Sequence, residues 1–271
     1  MKHLLLLIGA FFVFACYANK TAVKENSTIN TIDTTQKETV TDTSVSATAE
    51  TVAVKPKTVV NHEAWTALLK KHVTKTGKVN YQGFREDADR LKAYIKSLSK
   101  QIPTKSWTKD EKLAYWINAY NAMTVDLILK NYPLESIKNI DNPWKQELWT
   151  LEGKEYDLNT IEHKILRKMN EPRMHFAINC ASFSCPPLLN KAFTAENMDA
   201  QLTHVTKTFL ADSKRNTITQ NKVEISKIFK WFSSDFKENG SLIDFLNKYS
   251  AVKISKDADV DYKEYDWTLN E

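Results

Sequence analysis

Between Met174 and Leu188 the chain reads MHFAINCASFSCPPL, which sets His175, Cys180 and Cys185 within eleven residues. The sequence has three cysteines, and the third, Cys16, ends an apolar leader. Both thiols open to a folded domain therefore sit in one segment, beside a histidine and before a Pro-Pro pair. Three chemistries fit that set. Cys180 and Cys185 can close a small structural disulfide, as an oxidising compartment allows. One of them can be a nucleophile: Ser184-Cys185-Pro186 reads as a helix start, where proline is at home, and a thiol at a helix N-terminus near an imidazole has a lowered pKa. A metal site could use both cysteines with histidines, but the spacing and the lack of a CxxC pair argue against zinc.

Other polar residues must work with this segment or merely support it. Asn118 and Asn121 lie one helical turn apart, and Asn121 falls on an apolar stripe. A buried amide without partners costs ~1 to 3 kcal/mol, so Asn121 either pins a neighbouring loop or helix end, or orients a catalytic imidazole or binds substrate. Glu162 and His163 are adjacent, and His163 shares a helix face with Arg167. Glu162 borders Leu158, Ile165 and Leu166, which predicts partial burial and a cationic partner, imidazole or guanidinium. These residues either form a structural ion pair beside an exposed histidine or reach across to the cysteines.

The elements that would position them are mostly helical. Thr108 with Glu111 resembles a capping box, and Leu113, Trp116, Ile117, Tyr120, Thr124, Leu127 and Ile128 then share one helix face up to about Asn131, before Pro133. Asn159 with Glu162 predicts a second capped helix, stopping before Pro172. Alternation of Met174, Phe176 and Ile178 with His175, Ala177 and Asn179 predicts a half-buried strand that ends at Cys180. Thr194 is placed to cap a helix with Met198, Leu202, Val205 and Phe209 inward. Val223 to Ile225 reads as a strand, and Ser241 to Tyr249 as a helix. With only five glycines in the chain, no dinucleotide or phosphate loop is present.

The N-terminal region is of another kind. Lys2 and His3 precede an apolar run from Leu4 to Ala15, too short for the ~20 residues that span a bilayer and suited to a signal peptide. Val13-Phe14-Ala15-Cys16 resembles a lipobox, with Cys16 lipidated, and plain cleavage after Ala15 is the alternative. Residues 17 to 60 are rich in Thr, Ser, Val, Lys and Glu without apolar periodicity, the composition of a disordered tether. Residues 61 to 271 hold all seven tryptophans and are enough for one domain. The net charge of +5 is spread among 33 acidic residues, with no basic run interleaved with aromatics, so nucleic acid is not an expected partner.

Four stretches, in order, resemble the motifs of DUF547, a family of unknown function: Trp116–Ala122 (WINAYNA), Leu158–Arg167 (LNTIEHKILR), His175–Pro186 (HFAINCASFSCP) and Tyr262–Asn270 (YKEYDWTLN). The resemblance extends over 61 to 271. It implies that Asn118, Asn121, Glu162, His163, Arg167, His175, Cys180, Ser182 and Cys185 are motif positions. Some eukaryotic members join this domain to a glutaredoxin-like one, which associates the family with thiol chemistry. Cys, His and a carboxylate or Asn are the parts of a papain-like or transglutaminase-like centre, here in the order Asn, His, Cys.

The expectation is a mainly helical α+β single domain with a small β-sheet, of papain- or transglutaminase-like kind. It would be an exported lipoprotein of the cell envelope, membrane-anchored through lipid on Cys16 and facing the periplasm or the outer membrane. Its activity would be that of a thiol-dependent hydrolase or acyl transferase on amide or thioester bonds, without cofactor or metal. Cys180 or Cys185 would attack, His163 or His175 would act as base, and Glu162 or Asn121 would orient the imidazole. Arg167, Asn118 and Ser182 would hold an unidentified small-molecule or peptide ligand. The alternatives are a non-enzymatic envelope module with a Cys180–Cys185 disulfide and a thiol–disulfide redox protein.

Overall fold

Helices α1 (Glu63–His72), α2 (Tyr81–Glu86) and α3 (Ala88–Leu98) pack on one another and, through α2 and α3, on the long helix α4 (Lys109–Asn131). The computed structural model describes residues 60–271. The leader, Cys16 and the tether up to residue 59 lie outside the described residues. Helix α4 starts as its sequence predicts: Thr108 Oγ1 accepts the Glu111 N–H, and the Glu111 carboxylate accepts the Thr108 N–H. Its burial exceeds the predicted stripe. Every residue from Leu113 to Ile128 is buried, because α4 is wrapped on all sides and forms the core axis. Tyr132 turns extended ahead of Pro133 and ends it.

A hairpin follows, β1 (Trp149–Leu151) against β2 (Lys154–Tyr156). Its turn residues Glu152 and Gly153 both have positive φ (48° and 77°), the geometry that a two-residue hairpin loop needs. The predicted second helix then takes two other pitches. A widened π turn runs over Thr160–Ile165 and a tight 3-10 turn over Leu166–Met169. Asn159 is not its cap; Asp157 Oδ1 accepts the Thr160 N–H instead. π turns of this kind are frequent at functional sites, because they redirect side chains that a regular helix would space evenly.

The cysteine segment opens with a 3-10 turn, Pro172–Phe176, where alternation had predicted a strand. Pro172 stands at the start of the turn, and the Glu171 side chain accepts the Arg173 N–H, so local capping overrides the period-two pattern. Helix α5 (Met198–Ala211) buries Met198, Leu202, Val205 and Phe209 as predicted, although Thr194 does not cap it with its side chain. The chain continues through β3 (Thr217–Ile218), β4 (Lys222–Ile225), α6 (Ile228–Trp231), α7 (Ser233–Phe236), α8 (Leu242–Tyr249) and β5 (Asp259–Tyr262). Strand β4 pairs antiparallel with β3 and parallel with β5. Ser241 and Asp244 form the capping pair of α8.

Phe176, Phe209, Phe229, Phe236 and Phe245 interlock, with neighbouring ring centroids 4.9 to 5.7 Å apart. This cluster fixes α6 and α7 against the turn that carries His175. The expected class is correct: a mainly helical α+β single domain with small sheets of two and three strands. Among the described residues no helix is long and apolar enough to cross a membrane.

Candidate functional site

Backbone hydrogen bonds, more than regular secondary structure, hold the cysteine segment. Asn121 of α4 donates from Nδ2 to the Ala177 carbonyl (2.9 Å) and accepts the Asn179 N–H at Oδ1 (2.8 Å). Asn179 in turn donates to the Pro186 carbonyl (2.8 Å) and accepts from the Ala181 N–H (2.9 Å) and Asn270 Nδ2 (3.1 Å). The C-terminal segment runs alongside, with Phe183 N–H on the Thr268 carbonyl and Ser184 N–H on the Asp266 carbonyl. Ser184 is thereby committed to this pairing, and no helix starts at Cys185. Arg215 closes the loop from its other side, with bonds to the carbonyls of Phe183 and Cys185.

Within this frame Cys180 and Cys185 are joined as a disulfide, their Cα atoms 6.1 Å apart. Ala181, between them, is fully buried and sits at φ 61°, a left-handed conformation that costs a non-glycine residue roughly 1 to 2 kcal/mol. The surrounding bonds over-determine that backbone. Cys185 is buried and its sulfur accepts the Cys180 N–H (2.8 Å). Cys180 is only half-buried, and its sulfur lies 3.3 Å from both Ser182 Oγ and the Tyr265 hydroxyl. Ser182 donates to Tyr265 (3.0 Å), which leaves the phenol's own proton to be directed elsewhere.

The disulfide lines a cavity of about 250 Å³ together with Glu162, His163 and His175. Tyr265, Trp267 and Trp231 line it as well, with centroids 4.5 Å apart for Tyr265–Trp267 and 4.8 Å for Trp231–Tyr265. The Glu162 carboxylate is buried and accepts the Tyr120 hydroxyl at 3.1 Å. The predicted cationic partner is absent because Arg167 turns to another acid. Burial lifts the Glu162 pKa to about 7, against the lowering effect of the Tyr120 hydrogen bond and of Arg167.

Asp235 of α7 organises the rest. It accepts both Nε and Nη2 of Arg167 at 2.7 Å and His175 Nε2 at 2.9 Å. Burial would raise its carboxyl, but hydrogen bonds from Arg167, His175 and Ser234 hold it well below the usual carboxylate range. A carboxylate only accepts, so His175 carries its proton on Nε2 when neutral, and Nδ1 makes no hydrogen bond among the described residues. The ring stacks on Phe232 at 4.1 Å. Burial pushes the His175 pKa down, although Asp235 opposes it. Arg167 Nη1 also donates to His163 Nδ1 at 3.1 Å, and His163 is lowered by burial and by that guanidinium. Neither imidazole hydrogen-bonds a cysteine sulfur in this disulfide form.

The fold thus gathers Cys180, Cys185, Glu162, His163 and His175 around one cavity, with Ser182 behind Cys180. Asn118 and Asn121 stand apart from it. Asn118 repeats the two-sided clamp on Phe193, donating to its carbonyl and accepting its N–H. Arg167 lies behind the histidines and lines a neighbouring polar pocket rather than this cavity. Sequence reasoning missed Asp235, Tyr265, the tryptophan wall and Arg215; only Tyr265 and Trp267 carried a signal, inside the last motif. Among the described residues, no group of three or more His, Cys, Asp or Glu side chains is arranged to hold a metal ion.

The comparison with known families supports the reading of the first three motifs, Trp116–Ala122, Leu158–Arg167 and His175–Pro186. Residues 104–210 match the family model of DUF547, a protein of unknown function. No curated protein and no solved structure matches the chain. The DUF547 match takes in the Asn clamps, Glu162, His163, His175 and both cysteines. Trp231, Asp235, Tyr265 and Trp267, which complete the cavity and orient its histidine, lie beyond the matched residues.

Proposed function

We propose that this domain carries out thiol–disulfide exchange at Cys180–Cys185. One observation carries this reading: the bonded pair lines a cavity, and Cys180 is half-buried while Cys185 is buried and its sulfur already accepts a backbone N–H. An incoming thiolate attacks Cys180 Sγ, the S–S bond breaks, and the electron pair leaves on Cys185 Sγ, where the Cys180 N–H stabilises it. A proton then neutralises that thiolate. A second thiolate resolves the mixed disulfide, so two substrate thiols become one disulfide while the protein gains two thiols. Glu162, with a pKa near neutrality, is the lining group best matched to hold the mobile proton. Incubating the reduced protein with a small disulfide and following both partners by mass tests the cycle; failure of the pair to re-form would sink it.

A second reading has its own observation. His175, oriented by Asp235 through Nε2 with Nδ1 unpartnered, is half of an acyl-transfer centre. After reduction by a dithiol, Cys180 would pass its proton to His175 and attack an amide or thioester carbon. The imidazolium would then protonate the leaving amine or thiol, and water or an acceptor would release the acyl group. This reading predicts that reduced Cys180 alkylates at pH 6 at a rate that falls at least tenfold in His175→Ala. An unchanged rate rules it out.

The leader and tether support an envelope location, with residues 1 to 16 as signal peptide, Cys16 lipidated and 17 to 60 as the linker to the domain. Metabolic labelling with a fatty acid, lost in Cys16→Ser, tests the anchor.

A further inference from the structure

The cavity has a recognition chemistry that the disulfide alone does not explain. Tyr265, Trp267 and Trp231 form one contiguous aromatic face, Trp231 and Trp267 stacking at 5.9 Å, and Trp144 meets Trp267 edge-on at 5.8 Å. Trp231 is 47 % exposed although it lines the cavity. Glu162 is the only carboxylate among the lining residues, and no lysine or arginine is among them. The two guanidinium groups beside the cavity are matched, Arg167 by Asp235 and Arg215 by Asp212. One Glu162 oxygen takes the Tyr120 hydroxyl, and the other makes no hydrogen bond among the described residues.

We propose that this cavity binds an alkylammonium group, held against the indole faces and paired with Glu162. On the exchange reading above, on which this rests for its meaning, the substrate is an amine-bearing thiol or disulfide. The electrostatics favour a cation over the other ligand that aromatic walls take, a sugar ring. Indole faces attract cations through their quadrupole. Two rings that line the cavity already carry protein cations: Lys138 Nζ lies 5.4 Å from the Trp267 centroid, and Arg167 Cζ 5.2 Å from that of Phe232. A neutral pyranose would leave the buried Glu162 charge without a counter-ion, whereas an alkylammonium supplies one. An anionic group would be repelled by the Glu162 carboxylate, and no lysine or arginine side chain is among the lining residues to offset it.

The test uses the protein with its disulfide intact, so that binding does not depend on a free thiol. Choline, its neutral isostere 3,3-dimethylbutanol and methyl glucoside are titrated by calorimetry and tryptophan fluorescence. The ammonium is expected to bind about tenfold or more tightly than the isostere, and Glu162→Gln and Trp231→Ala each to weaken it about tenfold. Trp231 is half exposed, so its variant retains the fold if Glu162→Gln does not. Binding should tighten from pH 5.5 to 8 as Glu162 ionises around 7. Tyr120, Tyr265, Arg167, Asp235 and the two imidazoles face it; Arg167 and Asp235 keep their charges across that range, and burial holds both histidines towards neutral. Equal binding of the isostere, tighter binding of methyl glucoside, or no loss in either variant overturns the proposal. Exchange rates with cysteamine and 2-mercaptoethanol, compared per thiolate, separate the two claims. Ammonium binding without exchange of either thiol sinks the exchange reading alone; equal exchange of both without ammonium binding sinks this one.

Discussion

Two sets of polar residues in the interior and at the cavity of this domain are divided by their hydrogen bonds. On α4, Asn118 and Asn121 each donate to one backbone carbonyl and accept one backbone N–H. Their amides are matched on both sides and hold the chain in place. Around the cavity, Glu162, His163 and His175 each have one polar atom bonded to the protein and another without a partner among the described residues. Burial is similar in kind, since Asn121 and His175 are both almost fully enclosed. What separates scaffold from site is residual hydrogen-bonding capacity directed at a cavity.

That distinction gives a graded set of expectations. The largest effect belongs to the scaffold: Asn121→Ala leaves the Ala177 carbonyl and the Asn179 N–H buried without partners and should lower unfolding free energy by about 3 kcal/mol. Urea denaturation measures this. A variant of full stability that had lost thiol exchange would instead place Asn121 in the chemistry and break the comparison. Glu162 comes next. Its folded-state pKa is raised, so the stability it contributes is fully present below about 4.5 and is lost as pH rises through about 7. Relative to the wild type, Glu162→Gln should therefore gain on the order of 2 kcal/mol between pH 4.5 and pH 8. A pH-independent difference would mean that the carboxyl is not penalised by burial. The smallest effect is expected at His163, which is half-buried: His163→Gln should change stability by no more than about 0.5 kcal/mol by thermal unfolding. A loss several times larger would move His163 to the scaffold.

The sequence showed some of this and hid the rest for physical reasons. Helix α4 was legible because capping and a 3.6-residue period agree, and the two-sided amide was one of the two roles open to Asn121. The cysteine segment misled because every residue from Met174 to Asn179 is buried, so the alternation of apolar and polar residues does not mark two faces; Pro172 and Glu171 were the better guides. The Glu162 partner was misjudged because Arg167 pairs across 68 residues with Asp235, in a four-residue helix with no periodic pattern. Contacts of that kind have no local signature. The same holds for Arg215, which reaches the disulfide loop from 30 residues away.

The central claim is that Cys180–Cys185 is an exchangeable disulfide, attacked at Cys180. The most direct measurement treats the folded, unreduced protein with a small thiol, quenches in acid and locates the mixed disulfide by peptide mass mapping. The adduct is predicted on Cys180 under native conditions, with Cys185 released as the free thiol. An adduct that forms only after denaturation, or on Cys185, would contradict the account.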